Sequence, residues 1–232
     1  MKANDLTVPR HATALRALAR LLDYPAEPLL ANLAAVADAA AAAPVPAARR
    51  AALRPLLDRM AAADPLEVQE IYIDTFDRGW RTSLNLFEHV HGDSRDRGQA
   101  MVDLLAMYRA AGIELATDQL PDYLPAFLEY LSLLDAAQAR EQLGEVTHIV
   151  RAIGGVLAAR GSDYAGAFDL LLALAGEGAL GADVDTEDDT SFAAIDAAWL
   201  DAPVDFTGAA APCSSSPGRA TEQPIHIQRR SA

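Results

Sequence analysis

Residues Ile71 to Leu131 read IYIDTFDRGWRTSLNLFEHVHGDSRDRGQAMVDLLAMYRAAGIELATDQLPDYLPAFLEYL, and the fold class is decided here. Two amphipathic helices are predicted in this stretch, each preceded by a polar, turn-rich segment. The first follows His91-Gly92-Asp93-Ser94, where Asp93 or Ser94 can accept a free N–H of the opening turn. Met101, Leu104, Leu105 and Tyr108 then fall at helical spacing, and Gly112 marks the stop. The second follows Leu120-Pro121-Asp122-Tyr123 and carries the stripe Leu124, Phe127, Leu128, Leu131 and Leu134. Pro125 is tolerable only in its first turn, where no N–H is needed. Both stripes require a partner surface.

The same periodicity extends outward on both sides. His11–Leu22, Pro28–Ala43 and Ala47–Met60 read as helices, the third broken near Arg54 by Pro55. Asp64 caps a fourth that Pro65 opens, with Leu66, Val68, Ile71, Tyr72, Thr75 and Phe76 on its predicted buried side. A continuous pattern from Ala139 to Ala159 contains Gly154-Gly155, which would let another helix come close, and Tyr164–Ala175 closes the series. Alanine and leucine dominate the apolar residues and β-branched residues are sparse, so the expected class is all-α. The short connections favour a single compact multi-helix bundle over residues 1–176. Residues 177–232 lose the periodicity and accumulate Gly, Asp, Pro and Ser, so an acidic, mostly disordered tail is expected there. Only Phe192, Ile195, Trp199 and Leu200 keep a pattern able to dock.

Charge and composition exclude several classes. The formal charge of −14 disfavours nucleic acid and direct attachment to an anionic membrane, and favours basic partners. No Lys or Arg lies between Gly161 and Gly218. No apolar run reaches the ~18 residues of a membrane span, and the first residues lack a signal-peptide pattern, so a cytoplasmic location is expected. Cys213 is the only cysteine, which leaves no internal disulfide and no cysteine-rich metal or iron–sulfur site within one chain. Neither a Gly-rich phosphate loop nor a Ser-His-Asp signature is present. His89-Val90-His91-Gly92-Asp93 matches part of an H-x-H-x-D metal pattern, but Ser94 stands where that chemistry places another histidine. Those side chains serve equally as backbone partners within a loop, with Arg95 or Arg97 clamping Asp96, Glu88 or Asp74, or as a polar contact surface.

Phe87-Glu88-His89-Val90-His91-Gly92-Asp93-Ser94-Arg95-Asp96-Arg97-Gly98, followed by Leu120-Pro121-Asp122-Tyr123-Leu124-Pro125, resembles the NarJ family of respiratory nitrate reductase assembly chaperones. That family is part of a wider all-helical group related to TorD and DmsD. The similarity runs from Leu15 to Leu174 and resumes at Pro203-Val204-Asp205-Phe206. Tyr72-Ile73-Asp74-Thr75-Phe76 is similar to the wider group's Tyr-x-x-Leu-Phe element, with Thr75 in place of Leu. Leu120 and Tyr123 replace an acid and a histidine in its Glu-Pro-x-Asp-His element.

The resemblance implies a dedicated chaperone, not an enzyme and not part of the finished reductase. Its client would be the N-terminal amphipathic segment of the catalytic (alpha) subunit, bound before membrane attachment. Insertion of molybdenum cofactor and an iron–sulfur cluster would follow, with molybdenum cofactor biosynthesis proteins as conceivable further partners and no cofactor bound stoichiometrically. The candidate client contacts are Tyr72, Phe76, Glu88, His89, His91, Asp93, Arg95, Arg97, Tyr108, Pro121, Asp122, Tyr123 and Phe127. A chaperone for another, exported molybdoenzyme is the alternative client reading. A metal-dependent hydrolase built on His89, His91 and Asp93 is the alternative class.

Overall fold

Alanine-rich and leucine-rich segments with short polar joints fold as eleven α-helices among the described residues of the computed structural model, which are 8–90, 95–115 and 119–181. They are α1 Arg10–Leu21, α2 Glu27–Ala31, α3 Leu33–Ala41, α4 Ala47–Ala51, α5 Arg54–Ala62, α6 Pro65–Phe76, α7 Arg95–Ala110, α8 Leu124–Leu131, α9 Ala136–Glu145, α10 Thr147–Ala159 and α11 Ala165–Ala175. Two 3₁₀ turns, Trp80–Thr82 and Leu86–His89, join α6 to α7. The all-α expectation stands.

Helix α1 is the axis of the bundle. Ala14, Leu15, Leu18, Leu21 and Leu22 are buried, and the helix packs on α3, α8 and α11. Helices α10 and α11 pair through Val150, Ile153, Leu157, Phe168, Leu171 and Leu172. An aromatic cluster fills the space beside them. Tyr72 and Phe76 of α6 lie 5.0 Å apart by ring centroid, and Phe76 meets Tyr164 edge-on at 4.8 Å. At Gly166 of α11 a Cβ would fall 2.0 Å from the carbonyl oxygen of Ala52, so only glycine lets α11 press on the turn between α4 and α5.

Several predicted boundaries move, each for a local reason. The Pro28–Ala43 helix divides at Asn32, whose side-chain Nδ2 donates to the Pro28 carbonyl at 2.9 Å while its backbone turns to φ −112°. The Ala139–Ala159 pattern divides at Val146, where the Thr147 hydroxyl donates back to the Gly144 carbonyl at 2.8 Å. The break near Arg54 is found, with Pro55 in the first turn of α5. Asp64 caps α6 by accepting the Leu66 N–H at 2.9 Å. Leu66, however, is 70% exposed. It lies about 200° around the helix from Val68, which faces the core with Tyr72 and Phe76.

Beyond α11 the expected tail does not begin cleanly. Residues 177–180 lie along α10 and α11, with Leu180 half-buried on the core. Glu177 pairs with Arg151 at 3.2 Å, and the Leu180 N–H donates to Asp169 at 3.0 Å. Polar partners on neighbouring helices hold what composition alone reads as unstructured. Residues 182–232, with Phe192, Ile195, Trp199 and Cys213, lie outside the described residues, as do His91, Asp93 and Ser94.

Candidate functional site

The two recognisable motifs meet. Asn85 and Tyr123 form an antiparallel bridge, flanked by Leu86 N–H to Asp122 O at 2.9 Å and Leu124 N–H to Leu84 O at 2.8 Å. This short two-segment ladder joins the turn after α6 to the entrance of α8. Asp122, fully buried, completes it by accepting the Phe87 N–H on Oδ2 at 3.0 Å. It does not cap α8; Tyr123 occupies the N-cap position and makes no side-chain cap bond. Oδ1 of Asp122 has no hydrogen-bond partner among the described residues. Burial raises the Asp122 pKa above the ordinary carboxylate value, opposed by the Phe87 N–H and the nearby Arg97 guanidinium.

The polar residues of the first motif are largely used within it. Glu88 accepts from Asn85 Nδ2 at 3.1 Å and pairs with Arg97 at 3.6 Å, the clamp expected from sequence. His89 donates from Nε2 to the Ser83 carbonyl at 2.9 Å. Its ring lies 6.4 Å from Trp80, an indole that is 60% exposed and carries the Arg81 guanidinium over its face. No cluster of three His, Cys, Asp or Glu side chains able to hold a metal occurs among the described residues. Tyr108 is buried against Tyr130 at 5.2 Å and donates to the Pro121 carbonyl at 2.8 Å, which ties α7 to the start of α8. Phe127 is buried as well.

Tyr72, Phe76, Tyr108, Asp122 and Phe127 are buried in this arrangement, and Pro121, also buried, borders a hollow beside Leu105 and Arg109. Their contacts here are those of packing and turn formation. Glu88, His89, Arg97 and Tyr123 are partly exposed at the edge of the ladder. His91, Asp93 and the Arg95 side chain are not among the described features.

Behind this ladder runs a hydroxyl chain. Tyr72 Oη lies 3.1 Å from the Leu22 carbonyl and 3.0 Å from Tyr123 Oη, and Tyr123 Oη lies 3.1 Å from Asp23 Oδ1. Two hydroxyl protons serve three contacts, so the donors are shared: Tyr123 to Asp23, and Tyr72 to Leu22 or Tyr123. Burial pushes both phenols above their ordinary pKa, which keeps both protons in place. Tyr24 meets Tyr72 edge-on at 5.7 Å. The chain thus fixes Asp23 and Tyr24 at the end of α1.

Asp23 and Tyr24 are themselves the wall of a surface groove that sequence reasoning missed. One hollow of about 390 Å³ is lined by Arg20, Asp23, Tyr24, Leu29, Asn32 and Val36. It continues, through the shared Arg20 and Val36, into one of about 370 Å³ lined by Val8, Thr13, Arg16, Ala17, Ala35 and Ala39. Arg16 and Arg20, one helical turn apart and both exposed, rim it. The signal was present in those two arginines outside a buried Ala17, but the alanines of α3 read only as good helix formers.

The described residues thus form a helical body with an apolar, arginine-rimmed groove along α1 and α3. The chain belongs to the nitrate reductase delta subunit family, whose pattern matches residues 42–169. It is 43% identical over 196 residues, 82% of this chain and 83% of the relative, to the nitrate reductase molybdenum cofactor assembly chaperone NarJ of Escherichia coli K12. It is 48% identical over 159 residues, 66% of this chain and 68% of the relative, to the same organism's probable nitrate reductase molybdenum cofactor assembly chaperone NarW. The probable assembly chaperone NarJ of Bacillus subtilis 168 is 31% identical over 113 residues, 49% of this chain and 61% of the relative. The chain is accordingly a chaperone and not an enzyme, which replaces the hydrolase alternative. No helix among the described residues is long and apolar enough to cross a membrane.

Proposed function

We propose that this chaperone holds the N-terminal segment of the nitrate reductase catalytic subunit in the α1–α3 groove, in the cytoplasm. Molybdenum cofactor and an iron–sulfur cluster enter the subunit while it is held, and release precedes membrane attachment. The observation that carries this reading is the groove itself. Its floor is aliphatic and shallow, its rim carries Arg16, Arg20 and Asp23, and Tyr24 stands at one end. These features suit an amphipathic helix that lays its apolar face down and its polar edges against the rim. Its relatives' names, nitrate reductase assembly chaperones, support that client over another molybdoenzyme.

Each well-buried Leu or Phe anchor contributes about 1.5–3 kcal/mol, so three supply about 5–9 kcal/mol before ordering costs. Before those costs this corresponds to a Kd between about 200 µM and about 0.3 µM, so binding is reversible, as a factor that must release its client requires. Calorimetry on a peptide copying about 15 residues, some four helical turns, of the subunit's N-terminus should show a negative heat-capacity change. Val36→Asp should abolish it, as should serine on the peptide's apolar face. Undiminished binding to Val36→Asp would place the client elsewhere and overturn the groove assignment.

A further inference from the structure

We propose that residues 192–200 of this same chain occupy the α1–α3 groove when no client is present, so that the chaperone is regulated by its own C-terminal segment. The proposal rests on the reading of that groove as the client site and adds its competitor.

The first observation is where the chain leaves the body. Arg151 donates to the Ala179 carbonyl at 3.1 Å and pairs with Glu177, while Arg49 reaches the Glu177 and Gly178 carbonyls at 3.4 Å. Asp169, held by Arg49 at 2.5 Å, accepts the Leu180 N–H. The Leu180 side chain sits over Gly154, where a Cβ would come within 2.9 Å of it. Three side chains from α4, α10 and α11 thus fix the departure point, and α11 packs directly on α1.

The second is reach. Twelve residues from Leu180 to Phe192 span up to about 40 Å when extended. The body, with an expected radius of gyration of about 16 Å, is of similar diameter. Every face of α1 is therefore within range, and a tether of this length supplies a millimolar-scale effective concentration.

The third is fit. Phe192-Ala193-Ala194-Ile195-Asp196-Ala197-Ala198-Trp199-Leu200 places its large apolar residues at i, i+3, i+7 and i+8, one helical face. The groove opposes them with Ala17, Ala35, Ala39 and Val36, small residues that leave room for large ones. Charge agrees. Residues 182–201 contain Asp183, Asp185, Glu187, Asp188, Asp189, Asp196 and Asp201 and no Lys or Arg, while Arg16 and Arg20 rim the groove. Among the described residues Arg20 pairs with the exposed Glu129 at 3.3 Å, a contact weak enough to exchange, and Arg16 donates from Nε to the Ser132 hydroxyl at 3.0 Å.

The test uses the full chain carrying Trp80→Phe, which leaves Trp199 as its single tryptophan. Trp199 emission should be blue-shifted and protected from acrylamide. Arg16→Glu with Arg20→Glu, a change confined to exposed rim positions, should shift it red and expose it, as should Ile195→Ser within the segment. Truncation after Gly181 should tighten client-peptide binding about tenfold, the competition expected for a tethered ligand of ~100 µM intrinsic affinity. Trp199 emission indifferent to both the rim and the segment variants overturns the proposal, whatever the client peptide does. Emission that responds to those variants but not to client peptide supports self-occupancy and instead removes the client from this groove.

Discussion

Tyr123→Phe tests whether the recognisable motif works through the groove wall. The hydroxyl that is lost donates to Asp23 at 3.1 Å and touches Tyr72 at 3.0 Å. A hydrogen bond to a charged acceptor contributes about 1.5–3 kcal/mol, and partial exposure of Asp23 lowers this to about 1–2 kcal/mol. For a chain of this size that is a fall of about 2–8 °C in Tm. Tyr72→Phe removes the donor to Leu22 instead, so the two substitutions strike different acceptors while sharing one contact. Their double-mutant cycle should show a coupling of about 0.5–1.5 kcal/mol. The client peptide, measured by the same calorimetry, should bind several-fold more weakly to Tyr123→Phe, because Asp23 and Tyr24 line the groove. Additive stability effects would mean that the hydroxyls are not a linked chain. An unchanged peptide affinity beside the lowered Tm would mean that the chain supports the fold alone.

Three further outcomes check the packing and the buried acid. Gly166→Ala should cost about 3 kcal/mol, the upper range of overpacking, because the new Cβ meets the Ala52 backbone and no side chain can yield; thermal unfolding reads it directly. Leu66→Ser, by contrast, should change stability by less than about 0.5 kcal/mol, since the side chain is already in solvent. Asp122→Asn should remove a component of stability that falls as pH rises through the acid range. With its folded pKa raised by burial, Asp122 binds more protons folded than unfolded, so its contribution falls as pH rises from the ordinary carboxylate value through the raised one. The asparagine keeps an acceptor for Phe87 and loses that slope, which denaturation at several pH values between about 4 and 7 measures.

The helices were legible because alanine, leucine and their spacing carry most of the information that an isolated helix needs. Its interruptions were not. Asn32 and Thr147 break helices by hydrogen-bonding backbone carbonyls four and three residues earlier, and both residues are also compatible with continued helix. Pro55 was readable because its ring forbids the preceding turn in any context. Leu66 was assigned to the core on type alone, although Val68, Tyr72 and Phe76 already define one face. The strap at 177–180 was invisible for a different reason: its partners Arg49, Arg151 and Asp169 lie on other helices, and spacing along the chain carries no trace of them.

The candidate site shows that a memorable motif has two readings. Charged and aromatic residues in an unusual run attract a contact role, but such a run can equally be the set of partners that a non-helical joint requires. In the joints on either side of α7 the described backbone leaves α-helical geometry, so its N–H and carbonyl groups need partners from elsewhere. Asp122, His89 and Tyr108 supply them, at Phe87, Ser83 and Pro121. Glu88 and Arg97 then tie α7 to that joint. The groove needs the opposite chemistry. Its floor has to be small and apolar, and only its rim carries charge, so alanine at 17, 35 and 39 is what a receiving surface for bulky side chains is made of. Among the described residues the two regions meet where Tyr72 and Tyr123 hold Asp23 and Tyr24. Through that contact the recognisable motif can set the shape of a groove that it does not line.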